Sequence, residues 1–127
     1  MINILFLDDV KLITLLIEEM LATRNDCAVT TFCSPNKALI QMAKHDFDVI
    51  ISDFHMPEMD GVTFLKESRL LQPDAIRIMM TMSDDKEVIN DSIHQAQAHH
   101  YLQKPIDKGM LNTVIDDCIL QIRNKSD

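Results

Sequence analysis

No stretch of the 127 residues approaches the ~20 consecutive apolar positions that a membrane span requires. The apolar opening Met1-Ile2-Asn3-Ile4-Leu5-Phe6-Leu7 is too short for a signal peptide and lacks a basic flank. Asp8-Asp9 follow it at once, so it reads as a buried first strand. Positive charge is scarce. Lys and Arg number 12 against 20 Asp and Glu, and the net −8 argues against this domain binding nucleic acid by neutralising phosphates. A DNA-binding partner or a further domain stays open. Cysteine is sparse as well. Cys27, Cys33 and Cys118 are odd in number and lack metal-site spacing, so free buried thiols in a reducing cytoplasm are expected. There is no internal repeat, low-complexity segment or linker inside the chain. What remains is 46% hydrophobic and 25% charged, which suits one globular domain with one core over 1–127. The polar tail Asn124-Lys125-Ser126-Asp127 is either an end or the first residues of a linker.

Strand-like and helix-like stretches alternate throughout. Ile2 to Leu7 is a strand. Leu12 to Arg24 carries Ile13, Leu16, Ile17, Met20 and Leu21 at the spacing of one helix face. Cys27 to Phe32 is a second strand, and Ser34-Pro35 is an N-cap with proline at the first helical position, opening a helix to about Lys44. Phe47 to Ser52, with Val49-Ile50-Ile51, suits a parallel strand covered on both faces. A loop with Pro57 and Gly61 precedes a helix over Val62 to Leu71, and Ile76 to Thr81 is the fourth strand. Ser83 or Asp84 is expected to cap a helix reaching Ala96, and Ala98 to Gln103 is the fifth strand. The last helix bears the stripe Leu111, Val114, Ile115, Cys118, Ile119 and Ile122. Met79, Met80 and Met82 are expected as core filler. Five strands alternating with five helices predict an α/β fold, a parallel sheet with helices on both faces.

Ligands of open α/β sheets bind beyond the carboxyl ends of the strands. Asp8 and Asp9 end the first strand, Asp53 the third, Thr81 the fourth, and Lys104-Pro105 the fifth. Three carboxylates in one cleft repel one another, which a hard cation such as magnesium relieves. A carboxylate can act as a nucleophile toward phosphorus, a lysine can hold a phosphoryl oxygen, and a threonine hydroxyl can donate to another.

Asp8-Asp9, the run Ser52-Asp53-Phe54-His55-Met56-Pro57-Glu58-Met59-Asp60-Gly61, Thr81, Tyr101 and Lys104-Pro105 resemble the receiver domains of two-component response regulators. The likeness covers essentially the whole chain, in order and spacing. It implies a flavodoxin-like sheet of strand order 2-1-3-4-5. It implies Asp53 as phosphoacceptor, with magnesium ligated by Asp9, Asp53 and the His55 backbone carbonyl, and by Asp8 through water. Lys104 would pair with Asp53 before phosphorylation and with the phosphoryl group after it. Thr81 would move to that group, and Tyr101 would rotate inward in response. The implied partners are a histidine kinase or phosphotransfer protein as donor, and an effector protein or fused C-terminal output domain. Neither nucleic acid nor membrane is an expected partner, and the implied setting is cytoplasmic. Such a domain catalyses its own modification and is not an enzyme for an external metabolite. The stretch Leu70 to Arg77 further resembles receivers joined to cyclic-dinucleotide phosphodiesterase domains.

Each residue also has a plainer reading. Asp8-Asp9 could cap the first helix, Thr81 could be an ordinary strand end, Tyr101 could simply pack, and His99-His100 point to opposite strand faces, which disfavours joint chelation. Two positions depart from the family. Met82 stands where a small residue is usual and, with Ser83, would modulate access to the site. Gln97 stands where a glycine is frequent and would alter a turn. Two rivals remain: a pseudo-receiver that only docks, and an aspartate-nucleophile phosphatase of the haloacid dehalogenase type. The latter places its second aspartate two residues after the nucleophile, where this chain has adjacent acids and then Val10.

Overall fold

The alternation is realised as five strands and five helices in a computed structural model that describes residues 1–82 and 86–126. The elements are β1 (Ile2–Leu7), α1 (Lys11–Leu21), β2 (Cys27–Phe32), α2 (Pro35–Met42), β3 (Val49–Asp53), α3 (Gly61–Leu71), β4 (Ile76–Thr81), α4 (Lys86–Asp91), β5 (His100–Gln103) and α5 (Lys108–Ser126). A π-helical turn, Ser92–Ala96, continues α4. All strand pairs are parallel, in the order β2-β1-β3-β4-β5. The central strands β3 and β4 are buried along their full lengths, as continuous apolar runs covered on both faces should be.

Side chains alternate across the sheet and build two apolar layers. Ile4, Phe6, Val49, Ile51, Ile78 and Met80 meet Ile17 and Leu21 of α1 and Leu111, Ile115 and Cys118 of α5. Leu5, Leu7, Ile50 and Met79 meet Ala38 and Met42 of α2 and Phe64 and Leu65 of α3. The α5 stripe is therefore confirmed, with Val114 and Ile122 half-buried at its margins. Ser34 does cap α2, its Oγ accepting from the Lys37 amide at 3.3 Å, and Pro35 is the first helical residue.

Several expectations need correction. Leu16, assigned to the buried face of α1, is 41% exposed. Met79 and Met80 are core residues, but Met82 is 67% exposed because it lies beyond the last paired residue of β4. Cys27 and Cys118 are buried free thiols, whereas Cys33, just past β2, is exposed. The third strand starts at Val49, since the Phe47 amide donates instead to the Gln72 Oε1 at 2.7 Å. The fifth strand starts at His100, after a turn in which Gln97 adopts φ 52°, the left-handed region that favours glycine. The helices α1 and α2 end at Leu21 and Met42, short of Arg24 and Lys44. The expected cap at Ser83 or Asp84 lies outside the described residues.

Two buried polar side chains hold the turns at the end of the sheet opposite the acids. Gln72 Nε2 donates to the carbonyls of Met42 and His45 at 2.9 and 2.7 Å. Arg77, only 3% exposed, aims its guanidinium at backbone carbonyls among the described residues. Nε donates to Ala96 at 3.0 Å, Nη2 to Gln97 at 3.2 Å and Nη1 to Ala75 at 3.1 Å. These carbonyls lie at or beyond the C-terminal ends of α3 and of the π-helical turn, where helix dipoles favour a cation. Burial, and then the charge of Arg69, pull the Arg77 pKa below its ordinary value. Replacing Arg77 with Met keeps the apolar stem and strands those carbonyls. Arg77→Met should lower stability by about 2–4 kcal/mol in urea or thermal unfolding, a loss seen when buried polar partners go unpaired.

Candidate functional site

Strand register brings the reactive residues to one rim. Asp53 is the last residue of β3, opposite Met80, and Thr81 is the last of β4, opposite Gln103. Asp8 and Asp9 follow β1 directly, and Lys104 follows β5. Backbone bonds fix these ends. The Asp8 amide donates to Phe32 at 3.1 Å, and the Lys104 amide donates to Thr81 at 2.7 Å. Ser52 Oγ donates to the Asp53 carbonyl at 2.9 Å. That carbonyl also lies against Gly61. A Cβ at position 61 would collide with it and stand 2.9 Å from the Met79 sulfur.

One ammonium binds two of the acids. Lys104 Nζ lies 2.7 Å from Asp8 Oδ2 and 3.1 Å from Asp53 Oδ1. Asp8 is wholly buried, and its other oxygen accepts from the Val10 amide at 2.9 Å. The reading of Asp8-Asp9 as a helix cap fails, because the N-cap of α1 is Val10 and no side chain caps it. One carboxylate oxygen from each of Asp8, Asp9 and Asp53 lies within 4.8 Å of the other two. Three carboxylates against one ammonium leave a local charge of −2. Asp9 is exposed, so the cluster opens to solvent on its side. This donor set of hard oxygens with uncompensated charge fits a divalent cation such as magnesium.

The electrostatics follow from burial. Desolvation, and next the charge of Asp8, push the Asp53 pKa above the ordinary aspartate value, against the pull of Lys104. Burial opposes the charge on Lys104, but its hydrogen bond to Asp8 and the charge of Asp53 outweigh it and raise its pKa.

The remaining predicted residues sit around this cluster. Thr81 is buried at the rim. Tyr101 packs half-buried beside the α2–α3 layer, and its hydroxyl donates to the Ile89 carbonyl of α4 at 3.3 Å. It thus touches the helix after β4, and burial raises its pKa. The His55 side chain is exposed, its ring edge-on to Phe54 at 4.6 Å. Ser83 lies outside the described residues. Met82 lines an apolar groove of about 380 Å³ with Leu16, Met20, Lys104, Pro105 and Ile106. His99 and His100 do not converge. His99 Nδ1 accepts from the Arg77 amide at 3.0 Å, while His100 Nε2 meets Gln121 of α5 at 3.3 Å.

The sequence model of the response regulator receiver domain family matches residues 4–116. The chain belongs to that family. The receiver is 30% identical to the chemotaxis protein CheY of Bacillus subtilis over 81% of this chain and 85% of that one. It is 31% identical to the two-component response regulator ARR2 of Arabidopsis thaliana, covering 98% of this chain but only 18% of ARR2. The chain therefore spans less than a fifth of that longer relative. The chemotaxis protein CheY4 of Vibrio cholerae superposes with a TM-score of 0.86 at 28% identity, covering 93% of the receiver and 98% of CheY4. The expected flavodoxin-like strand order is the one observed.

Sequence reasoning assigned no separate role to Arg77 or to Glu58, whose carboxylate accepts from Ser34 and Asn36 at the start of α2. A charged residue inside the otherwise apolar run Ile76-Arg77-Ile78-Met79-Met80 is the signal that could have exposed the first. Glu58 carried no pattern of its own.

The raised pKa of Asp53 has a stability consequence. Between the ordinary aspartate value near 3.9 and the raised folded value, the folded state holds more protons, so stability falls as pH rises. Neutralising Asp53 removes that cost. In metal-free buffer at pH 7, Asp53→Asn should melt higher than wild type. The gap should close as pH falls below the ordinary carboxylate range. Thermal melts across pH with chelator present check this, and a variant that melts lower at pH 7 contradicts it.

Proposed function

We propose that the receiver is a phosphorylation switch: Asp53 accepts a phosphoryl group from a phosphohistidine of a kinase or phosphotransfer protein. The observation that carries this reading is the Lys104 ammonium between Asp8 and Asp53, with Asp9 in reach. An Asp53 oxygen forms the new bond to phosphorus while the donor's nitrogen–phosphorus bond breaks. Lys104 pairs with Asp53 beforehand and with a phosphoryl oxygen afterwards. Asp9, Asp53 and the His55 carbonyl would hold magnesium directly and Asp8 through water, and the bound ion would neutralise phosphoryl charge. Positioning and charge are the main needs of this chemistry.

Phosphorylation adds about −1.5 to −2 charge and new acceptor oxygens at the rim. Thr81, at the end of β4, is the hydroxyl that turns toward them. Tyr101, tied to α4 through Ile89, is the side chain that follows. A state in which Thr81 and Lys104 reach the phosphoryl oxygens gains energy that the resting state lacks, so its population rises. An effector or a fused output domain reads that state. The domain turns over no external metabolite. The haloacid dehalogenase alternative would need a second aspartate two residues after a nucleophile at the end of β1. The acids there are adjacent, and Val10 follows them.

Incubation with acetyl phosphate and magnesium should add one phosphoryl group by intact mass, and Asp53→Asn should abolish the gain. Equal labelling of that variant would move the acceptor elsewhere. A protein that takes no label under any magnesium concentration would be a docking module.

Met82 directly follows Thr81, with its side chain exposed and lining the groove that Lys104 also lines. A flexible thioether there obstructs part of the donor's approach. Met82→Ala should speed both acetyl-phosphate labelling and loss of the phosphoryl group. Its stability should stay within about ±0.5 kcal/mol, as for surface substitutions. Unchanged rates in a folded variant would reduce Met82 to a wall of the groove.

A further inference from the structure

The loop between β3 and α3 carries the His55 carbonyl, and this inference rests on the proposed magnesium site that includes it. The loop is closed at its base, where the Gly61 amide donates to the Phe54 carbonyl at 2.8 Å. Above that, residues 55–59 make no backbone-to-backbone hydrogen bond among the described residues. Met56 and Met59 lie against the apolar layer without giving direction. The polar hold on this stretch comes from Glu58. Its Oε2 accepts a hydrogen bond from Asn36 Nδ2 and another from Ser34 Oγ at 3.3 Å. Both donors belong to the start of α2, directly after β2. The end of β2 in turn accepts the Asp8 amide through Phe32. A closed path thus runs from Asp8 through Phe32, Ser34, Asn36 and Glu58 to His55 and Asp53. It joins the two loops that carry the proposed metal ligands without touching the ligands' own carboxylates.

We propose that Glu58 is a positioning residue for the metal site: its tie to Ser34 and Asn36 sets the distance between the His55 carbonyl and the Asp8-Asp9 pair. Glu58 is exposed, and its carboxylate is engaged with donors at α2. Its contribution therefore lies in geometry and not in its charge. Two consequences follow. The amide of glutamine keeps an acceptor oxygen and should preserve the tie, while alanine should break it. Removing Asn36 should act on the same link, so the two losses should not add.

The test is calorimetric titration of magnesium into wild type, Glu58→Gln, Glu58→Ala, Asn36→Ala and the double alanine variant, each with a thermal melt. Glu58→Ala should weaken magnesium about threefold to tenfold, Asn36→Ala by no more than that because Ser34 still holds Glu58, the double variant no more than Glu58→Ala, and Glu58→Gln by less than about twofold, the scale of one hydrogen bond. A Glu58→Gln variant as weak as Glu58→Ala would assign the effect to charge and overturn the proposal. Equal affinities throughout, with or without a lowered melt, would overturn it alone and leave the phosphorylation reading standing. A wild type that binds no magnesium would overturn both.

Discussion

Everything at the working end of this domain depends on one ammonium group. Lys104 reaches back from the end of β5 to lie against Asp8 and Asp53, which terminate two other strands. Without it, two buried carboxylates would face each other with backbone amides to relieve them. Breaking such a buried pair by removing one partner is costly, on the order of 3–5 kcal/mol. With it, the acids are drawn together and still retain excess negative charge toward solvent. The same contact therefore ties the end of β5 to the ends of the interior strands β1 and β3, and keeps the rim attractive to a cation.

The opposite end of the sheet is held by different means. There Gln72 and Arg77 bind backbone carbonyls in place of side-chain charges. The rim with the acids carries unbalanced charge, and at the far end each charge or amide is met by backbone carbonyls. Arg77 anchors the C-terminal end of the α4 region, while Tyr101 touches that helix nearer its start through Ile89. The helix is thus secured at one end and in contact with the reactive rim's neighbour at the other.

How far this was legible in the sequence depends on which forces leave periodic traces. Two-sided burial writes itself as Val49-Ile50-Ile51 and Ile78-Met79-Met80, and the strand ends then mark where Asp53 and Thr81 must stand. The αL turn at Gln97 was legible only as the lack of an expected glycine. Contacts from a side chain to a distant carbonyl leave no such trace. Gln72 clamps residues about thirty positions earlier, and Arg77 holds a turn about twenty positions later. Burial beyond strand ends was also misjudged. Alternation stops where pairing stops, so Met82 and Cys33 lie outside the layers that their neighbours fill.

The contact at Gly61 bears on how such a site can move. The first residue of α3 lies so close under the Asp53 carbonyl that not even a methyl group fits between them. Helix and strand end are therefore seated on each other like a nail on an anvil. The Asp53 backbone cannot recoil toward α3, nor can that helix advance upon it. Displacement at the rim is steered away from α3, toward the face of the sheet that α1 and α5 cover.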